Sequence, residues 1–265
     1  ADAILIVPRQ FTFESDRGIL DTLGAKDACS VEVLSFSRLA DIIFKTCGGP
    51  KKPLLGDGAD AAIMALALDS LKDRLHLFSK HSSDIGFVKK MISQISLFKQ
   101  NDISDDELDE FCGTLSDGYL KNKLSETALI YRAYNTLTAQ SFFDDKDVLD
   151  LVWEKLLDSD YFDNKIVAID DFSDFSNQEL KIIERMMLCA KEVFVTLCSD
   201  DIDSSDELSP FACVNRTARR LKNIAEKCGY TNNNIFLKDY LDVSFKNDDS
   251  LWFISKKIQA RYNFC

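Results

Sequence analysis

No stretch constrains the fold of this chain more than Lys165 to Leu180, KIVAIDDFSDFSNQEL. Lys165 to Ile169 is an apolar run rich in β-branched side chains, the pattern of a strand buried on both faces. The run stops at two adjacent carboxylates, Asp170 and Asp171. Ser176 and Glu179 then follow with the S-x-x-E spacing of a capping box, in which both side chains satisfy free N–H groups at the start of a helix. Open α/β sheets carry ligand-facing groups in this way, at the carboxyl ends of their strands. The same acids also fit a solvated loop, and these residues alone leave both readings open.

The pattern recurs at the front of the chain. Ala3 to Val7, AILIV, reads as a strand that Pro8 stops. Few domains begin on an apolar strand, so a piece of a longer protein is expected. Thr12 to Leu23 reads as a helix, with Thr12 as candidate N-cap and Gly24 in the place of a C-terminal cap. Val31 to Phe36 is a second strand, and Ser37 is the candidate cap of the helix RLADIIFKTC, which Gly48-Gly49-Pro50 ends.

From Leu54 to about Asp160 no strand is evident. Ala59 to Phe78, Gly86 to Lys99, Asp105 to Phe111, Leu120 to Ala139 and Lys146 to Leu157 carry apolar residues three and four apart. Ser104 and Glu107 form a second capping box. The α/β alternation then resumes with Lys165 to Phe172, the capped helix Asn177 to Ala190, and the strand Glu192 to Cys198. After an acidic loop, Ser209-Pro210 opens a helix that runs to Gly229. Ile235 to Lys238 is a candidate short strand, and Ser250 to about Arg261 a last helix, again expected to be cut off. The reading is an α/β parallel-sheet domain, 1–53 with 161–265, into which an all-helical subdomain, 54–160, is inserted.

The 265 residues suffice for one large domain or two modest ones, and 46% hydrophobic with 29% charged residues is an ordinary globular profile. No apolar run approaches the ~18 residues of a membrane span. No export signal is seen, so a cytoplasmic setting and no membrane partner are expected. The eight cysteines include no C-x-x-C pair and read as reduced, buried thiols. The net charge of −12 argues against tight nucleic-acid binding by the chain alone, because phosphate neutralisation supplies most non-specific affinity.

The smaller signals are weak. Asp201-x-Asp203-x-Ser205 has a calcium-loop spacing but lacks the glycine at position six and the acid at position twelve, which is Ala212. His76 and His81 are five apart and cannot share a helix face as metal ligands do. A G-x-x-x-x-G-K-[ST] phosphate loop, G-x-S-x-G and H-E-x-x-H are all absent. No metal or cofactor is expected in this chain itself.

Three segments together carry a family likeness. ILIVPRQFTFESD, VEVLSFSRLADIIF and, after the helical block, IDDFSDFSNQE resemble the N-terminal region of AddB/RexB, the B subunit of the bacterial ATP-dependent helicase–exonuclease. The likeness covers most of the chain. It implies a parallel sheet of the P-loop, superfamily 1 helicase type, and a role in double-strand-break processing and recombinational repair. It implies an AddA-type helicase–nuclease subunit and single- or double-stranded DNA ends as partners, and ATP with Mg²⁺ as possible cofactors of the full-length complex.

Residue by residue, Pro8 to Phe13 corresponds to a helicase motif that touches the backbone of single-stranded DNA. Ser35-Phe36-Ser37 corresponds to a DNA-contacting turn. The resemblance therefore points to Gln10, Thr12, Ser35, Ser37 and Arg38 for DNA, although Arg38 could equally pair with Asp41 or an acid of the neighbouring strand. Asp170 and Asp171 lie over the Asp-Glu pair whose Asp holds Mg²⁺ and whose Glu positions the attacking water.

Departures from the pattern suggest degeneracy. Asp171 is one methylene shorter than that Glu, Ser173 replaces a Gln, and after EVFVTLC the Gly-Asp…Gln motif is missing. The resemblance thus implies no catalytic residue here. An active ATPase half-site with its phosphate loop upstream, or a docking scaffold that does not touch DNA, stays open beside it.

Overall fold

The computed structural model describes residues 2–56, 58–81, 84–199, 201–230, 232–237 and 259–264. Strands β1 (Ala3–Ile6), β2 (Val31–Leu34), β3 (Ile166–Ile169) and β4 (Glu192–Cys198) form the parallel part of one sheet, in the order β2-β1-β3-β4. β5 (Asn232–Leu237) and β6 (Gln259–Phe264) extend it in the order β4-β6-β5, with both added pairings antiparallel. The fold is α/β. Lys238, expected in the short strand, lies outside the described residues. So does the expected last helix as far as residue 258, while its expected end, Gln259 to Arg261, belongs to β6. There its backbone pairs on both sides and closes the free edges of β4 and β5.

The parallel strands are not covered evenly. Ile4, Ile6, Val167, Ile169, Val193, Val195 and Leu197 are buried, while the residues between them are half-buried. The apolar runs therefore seal one face, and the second is covered only in part. Cysteine burial also departs from expectation. Among the described residues Cys112 alone is buried and Cys29 and Cys213 are exposed, all of them free thiols.

α1 (Thr12–Ala28) is longer than its pattern. Gly24, at φ 77° and ψ 162°, interrupts the helix without ending it, and no residue of α1 is buried. α2 (Phe36–Cys47) buries Phe36, Leu39, Ala40 and Ile43 and stops at Gly48 with φ 86°.

Two compact units divide the chain. The sheet belongs to Ala1–Cys47 with Val152–Cys265, and Gly48–Leu151 is helical. In the helical unit, α3 (Ala59–Ser70), α4 (Ile85–Gln100) and α6 (Tyr119–Ser141) surround a core that includes Met64, Leu68, Ile95, Ile130 and Tyr134, and α5 (Asp105–Thr114) packs against α6. α7 (Val148–Leu157) carries the chain back. Ser104 and Glu107 form the expected capping box of α5.

The expected helix Ala59 to Phe78 ends at Ser70, and a long-range contact gives the reason. The buried Glu126 carboxylate of α6 accepts the backbone N–H groups of His76, Leu77 and Phe78 at 2.8–3.1 Å. A carboxylate that gathers three N–H donors offers the backbone more than a continued helix would.

A second buried polar group ties α4 to the segment before α7. Lys99 Nζ donates to Asp144 at 2.9 Å and to Asp147 at 2.7 Å, and the Lys99 and Asp144 side chains are almost fully enclosed. Burial alone would push both carboxyls up. For Asp144 the ammonium groups of Lys99 and Lys146 outweigh burial and hold it below the ordinary range. Asp147 stays above it because burial and the Asp144 charge prevail over Lys99. Removing Lys99 would strand a buried charge, which costs about 3–5 kcal/mol. Lys99→Met should therefore lower the unfolding free energy of this unit by that order in urea titrations, whereas Ser104→Ala should cost only about 1 kcal/mol. Equal losses from the two variants would contradict this assignment.

Candidate functional site

β1 lies between β2 and β3, and its register sets Ile6 opposite both Leu34 and Ile169. The ladder continues one residue beyond the strand ends. Val7 N–H donates to the Leu34 carbonyl and Asp170 N–H to the Ile6 carbonyl, each at 2.9 Å. Residues 8–11, 35–38 and 170–175 therefore leave the sheet at one level, along its carboxyl edge.

Gln10 stands exposed in a 3₁₀ turn, Arg9–Phe11. Thr12 does not cap α1 as expected. It is the first helical residue, and its hydroxyl donates backward to the Arg9 carbonyl at 3.0 Å. In the second turn the capping residue is Ser35, not Ser37. The Ser35 hydroxyl accepts the Arg38 N–H at 3.3 Å, and its carbonyl accepts the Leu39 N–H at 2.8 Å. Ser35 is buried, and Ser37 is exposed with its Oγ 2.9 Å from that of Ser35. Arg38 lies 4.0 Å from Asp16 of α1 rather than beside Asp41, and it donates to the Val33 carbonyl at 3.5 Å. With both side chains more than half exposed, such a pair holds Arg38 weakly.

In the third turn the Thr196 hydroxyl of β4 donates to Asp170 Oδ1. Asp171 is exposed and adopts φ 62°, a left-handed conformation that Asp tolerates better than most residues. A cleft of about 150 Å³ opens here, lined in part by Asp170, Asp171, Ser173, Thr196 and Cys198. Phe36, Phe172 and Phe175 form a three-ring cluster with centroids 4.9–6.5 Å apart, which fixes the second and third turns to each other. α8 (Asn177–Cys189) follows with its capping box formed by Ser176 and Glu179.

The helix expected after Ser209-Pro210 also holds this loop in place, a role its apolar pattern does not reveal. α9 (Ala212–Lys227) starts later than Ser209-Pro210, because the Ser209 hydroxyl accepts the Phe211 N–H at 3.1 Å and closes a turn first. Its buried Asn215 accepts from Ser199 Oγ at 2.7 Å and donates to the Asp201 carbonyl at 2.9 Å, so it anchors the loop after β4. Thr217 donates to the Ser173 carbonyl at 3.1 Å, and Arg220 to the Phe175 carbonyl at 3.2 Å, which anchors the loop after β3. The available signal was a pair of polar residues, Asn215 and Thr217, on the apolar face of an amphipathic helix. Among the described residues no group of three or more His, Cys, Asp or Glu side chains is placed to hold a metal. The calcium-like spacing is used otherwise, with Asp203 paired to Lys222.

Burial raises the Glu179 carboxyl above its ordinary value, against the Ser176 hydrogen bonds that lower it. A carboxyl raised in the folded state binds its proton more readily there than in the unfolded chain. Its contribution to stability is then complete below the ordinary glutamate range and is lost as pH rises through the raised value. Gln keeps an acceptor for the Ser176 N–H but no charge. Glu179→Gln should flatten this part of the stability–pH curve, measured by urea unfolding between about pH 4 and pH 7. An unchanged slope would show that the carboxyl is not raised.

The family model for the N-terminal domain of ADDB matches residues 1–254. The chain is 31% identical over 259 residues to the B subunit of an ATP-dependent helicase/deoxyribonuclease of Clostridium perfringens, covering 97% of this chain and 22% of that protein. The like-named protein of Clostridium acetobutylicum is 31% identical over 263 residues, with the same two coverages. That of Caldanaerobacter subterraneus subsp. tengcongensis is 32% identical over 255 residues, covering 96% of the chain and 22% of the relative. The chain thus spans about a fifth of the length of these relatives. Among the described residues no helix is long and apolar enough to cross a membrane.

Proposed function

The chain belongs to the ADDB N-terminal family, and from that premise we propose that it is the helicase-like domain of a helicase–nuclease subunit, holding one DNA strand against the carboxyl edge of its sheet. One observation carries this reading. The three segments that resemble helicase motifs, scattered over more than half the chain, emerge side by side at the level of Val7, Ser35 and Asp170. Gln10, Thr12 and Ser37 offer polar groups and Arg38 a half-exposed cation there, while the buried Ser35 shapes its turn. Such contacts position a backbone without reading bases. The domain would act in the processing of DNA ends for recombinational repair, in complex with an AddA-type subunit.

The domain is proposed to be of the P-loop, superfamily 1 type but not to hydrolyse ATP. Asp170 and Asp171 are carboxylates at the position that suits Mg²⁺. However, this chain contains no G-x-x-x-x-G-K-[ST] loop to grip the triphosphate, and two acids alone repel it. The residues present fall short of a nucleotide site, and no chemical step is assigned to Mg²⁺. Calorimetric titration of the chain with ATP and Mg²⁺ should give no binding heat. Micromolar affinity would overturn the assignment. A G-x-x-x-x-G-K-[ST] within ~30 residues upstream of Ala1, the scale of one βαβ unit, would favour an ATPase half-site in the full-length protein.

The DNA contact has its own test. In the full-length protein, Arg38→Ala should weaken single-strand binding irrespective of sequence and reduce the log–log salt slope by about 0.7, the value of one neutralised phosphate. Identical slopes for wild type and variant would mean that this edge does not face DNA. A docking scaffold would then be the better reading, and the exposed Phe13, Leu20 and Leu23 of α1 supply it with an apolar surface.

A further inference from the structure

α9 does more than clamp the loops beneath it. Its outward face carries Arg216, Arg219, Asn223 and Lys227, all exposed, with Arg220 partly so beside them and one exposed acid, Glu226, among them. These positions fall three, four and seven apart, which gathers them into one stripe along the helix. Two of the guanidinium groups converge on a single carboxylate. Arg216 Nη2 lies 3.1 Å from Glu207 Oε2, and Arg219 Nη2 lies 3.9 Å from Glu207 Oε1.

Glu207 sits near the end of the acidic loop between β4 and α9. That loop is rooted by the buried Ile202 and by Asn215, which holds the Asp201 carbonyl. Beyond this root it is open. Glu207 is 64% exposed and the neighbouring Leu208 93% exposed, so the carboxylate can leave its partners without uncovering any core.

We propose that the Arg216–Arg219 pair is a phosphate site for single-stranded DNA, and that Glu207 occupies it as an internal stand-in for that phosphate when no strand is bound. The inference rests on the reading above that the domain holds DNA, and it adds a second contact surface, on α9. One carboxylate held by a hydrogen bond from Arg216 and by the charge of Arg219 at 3.9 Å shows that the two guanidinium groups can share one oxyanion, the charge-assisted contact that arginine makes with phosphate. A solvent-exposed carboxylate–arginine pair is weak, so a polyanion that meets the whole stripe can displace it. The net charge of −12 does not forbid this, because at physiological salt charges beyond about 8 Å are largely screened. The Lys222–Asp203 pair holds the middle of the same loop separately and would stay in place.

The test uses the full-length protein, a fluorescent oligothymidylate and a series of salt concentrations. Glu207→Gln should tighten binding at low salt by removing the competitor. Arg216→Ala with Arg219→Ala should weaken binding and reduce the log–log salt slope by about 0.7, the value of the one phosphate that is no longer neutralised. The Arg216→Lys, Arg219→Lys pair, which keeps the charge, should restore most of that slope. An unchanged slope in the double alanine variant, or no gain from Glu207→Gln, would overturn the proposal. Polyglutamate competing as well as unlabelled oligothymidylate would also overturn it, in favour of an acidic protein partner. Dependence on Arg38 without dependence on Arg216 and Arg219 would reject this site alone. Dependence on the α9 pair without Arg38 would reject the sheet-edge contact and leave this site standing.

Discussion

Everything at the candidate site depends on the hydrogen-bond ladder of β1. This four-residue strand is flanked on both sides by parallel partners, and its last residue faces the last residues of β2 and β3. The bonds from Val7 to Leu34 and from Asp170 to Ile6 carry the alignment past the strand ends. Without that shared level, the segments after the three strands would be separate loops. A shift of one residue in a parallel ladder would also turn buried side chains to the other face. The alternation of Ile4 and Ile6 with less buried neighbours therefore protects the register.

Buried polar groups do the rest of the positioning, each where a loop has to be fixed to a helix. Glu126 gathers three backbone N–H groups, Lys99 joins two carboxylates, and Asn215 links a serine to a loop carbonyl. An unpaired buried polar group costs about 1–3 kcal/mol, so each of these tolerates little displacement. Apolar packing alone would let the loops slide. Together, Asn215 and Thr217 place the two loops around Asp170 from a single helix.

What could be read from sequence was what local chemistry decides. Both capping boxes, Ser104 with Glu107 and Ser176 with Glu179, form as their spacing requires, and the four parallel strands lie where their apolar runs are. The errors share one cause, a partner far away in sequence or a competing turn. The segment after Ser70 leaves the helix because Glu126 is some fifty residues away in the chain. Ser35 rather than Ser37 caps α2 because its hydroxyl lies at the strand end, three residues before the Arg38 N–H. Arg38 finds Asp16 on α1, and Asp170 finds Thr196 on β4, neither of which spacing reveals. The DNA candidates were legible only through the resemblance, since Gln10, Thr12 and Ser37 are ordinary as isolated residues.

The acidity of the chain bears on how such a surface could hold a polyanion at all. Thirteen of its 44 carboxylates lie in three clusters, residues 105–110, 144–150 and 201–207, and several of these already serve cations of their own. Arg132 of α6, for example, spans Asp105 and Asp106, and Lys99 spans Asp144 and Asp147. Charges neutralised in this way contribute little at a distance. What an approaching strand meets is the local field within a Debye length, about 8 Å at physiological salt. On that scale α9 presents Arg216, Arg219 and Lys227 against one exposed acid of its own, Glu226, and Arg38 has one weakly held acidic partner. For the proposed DNA contact, net charge would therefore set the long-range approach and its salt dependence, while the residues along these two surfaces would set where contact is made.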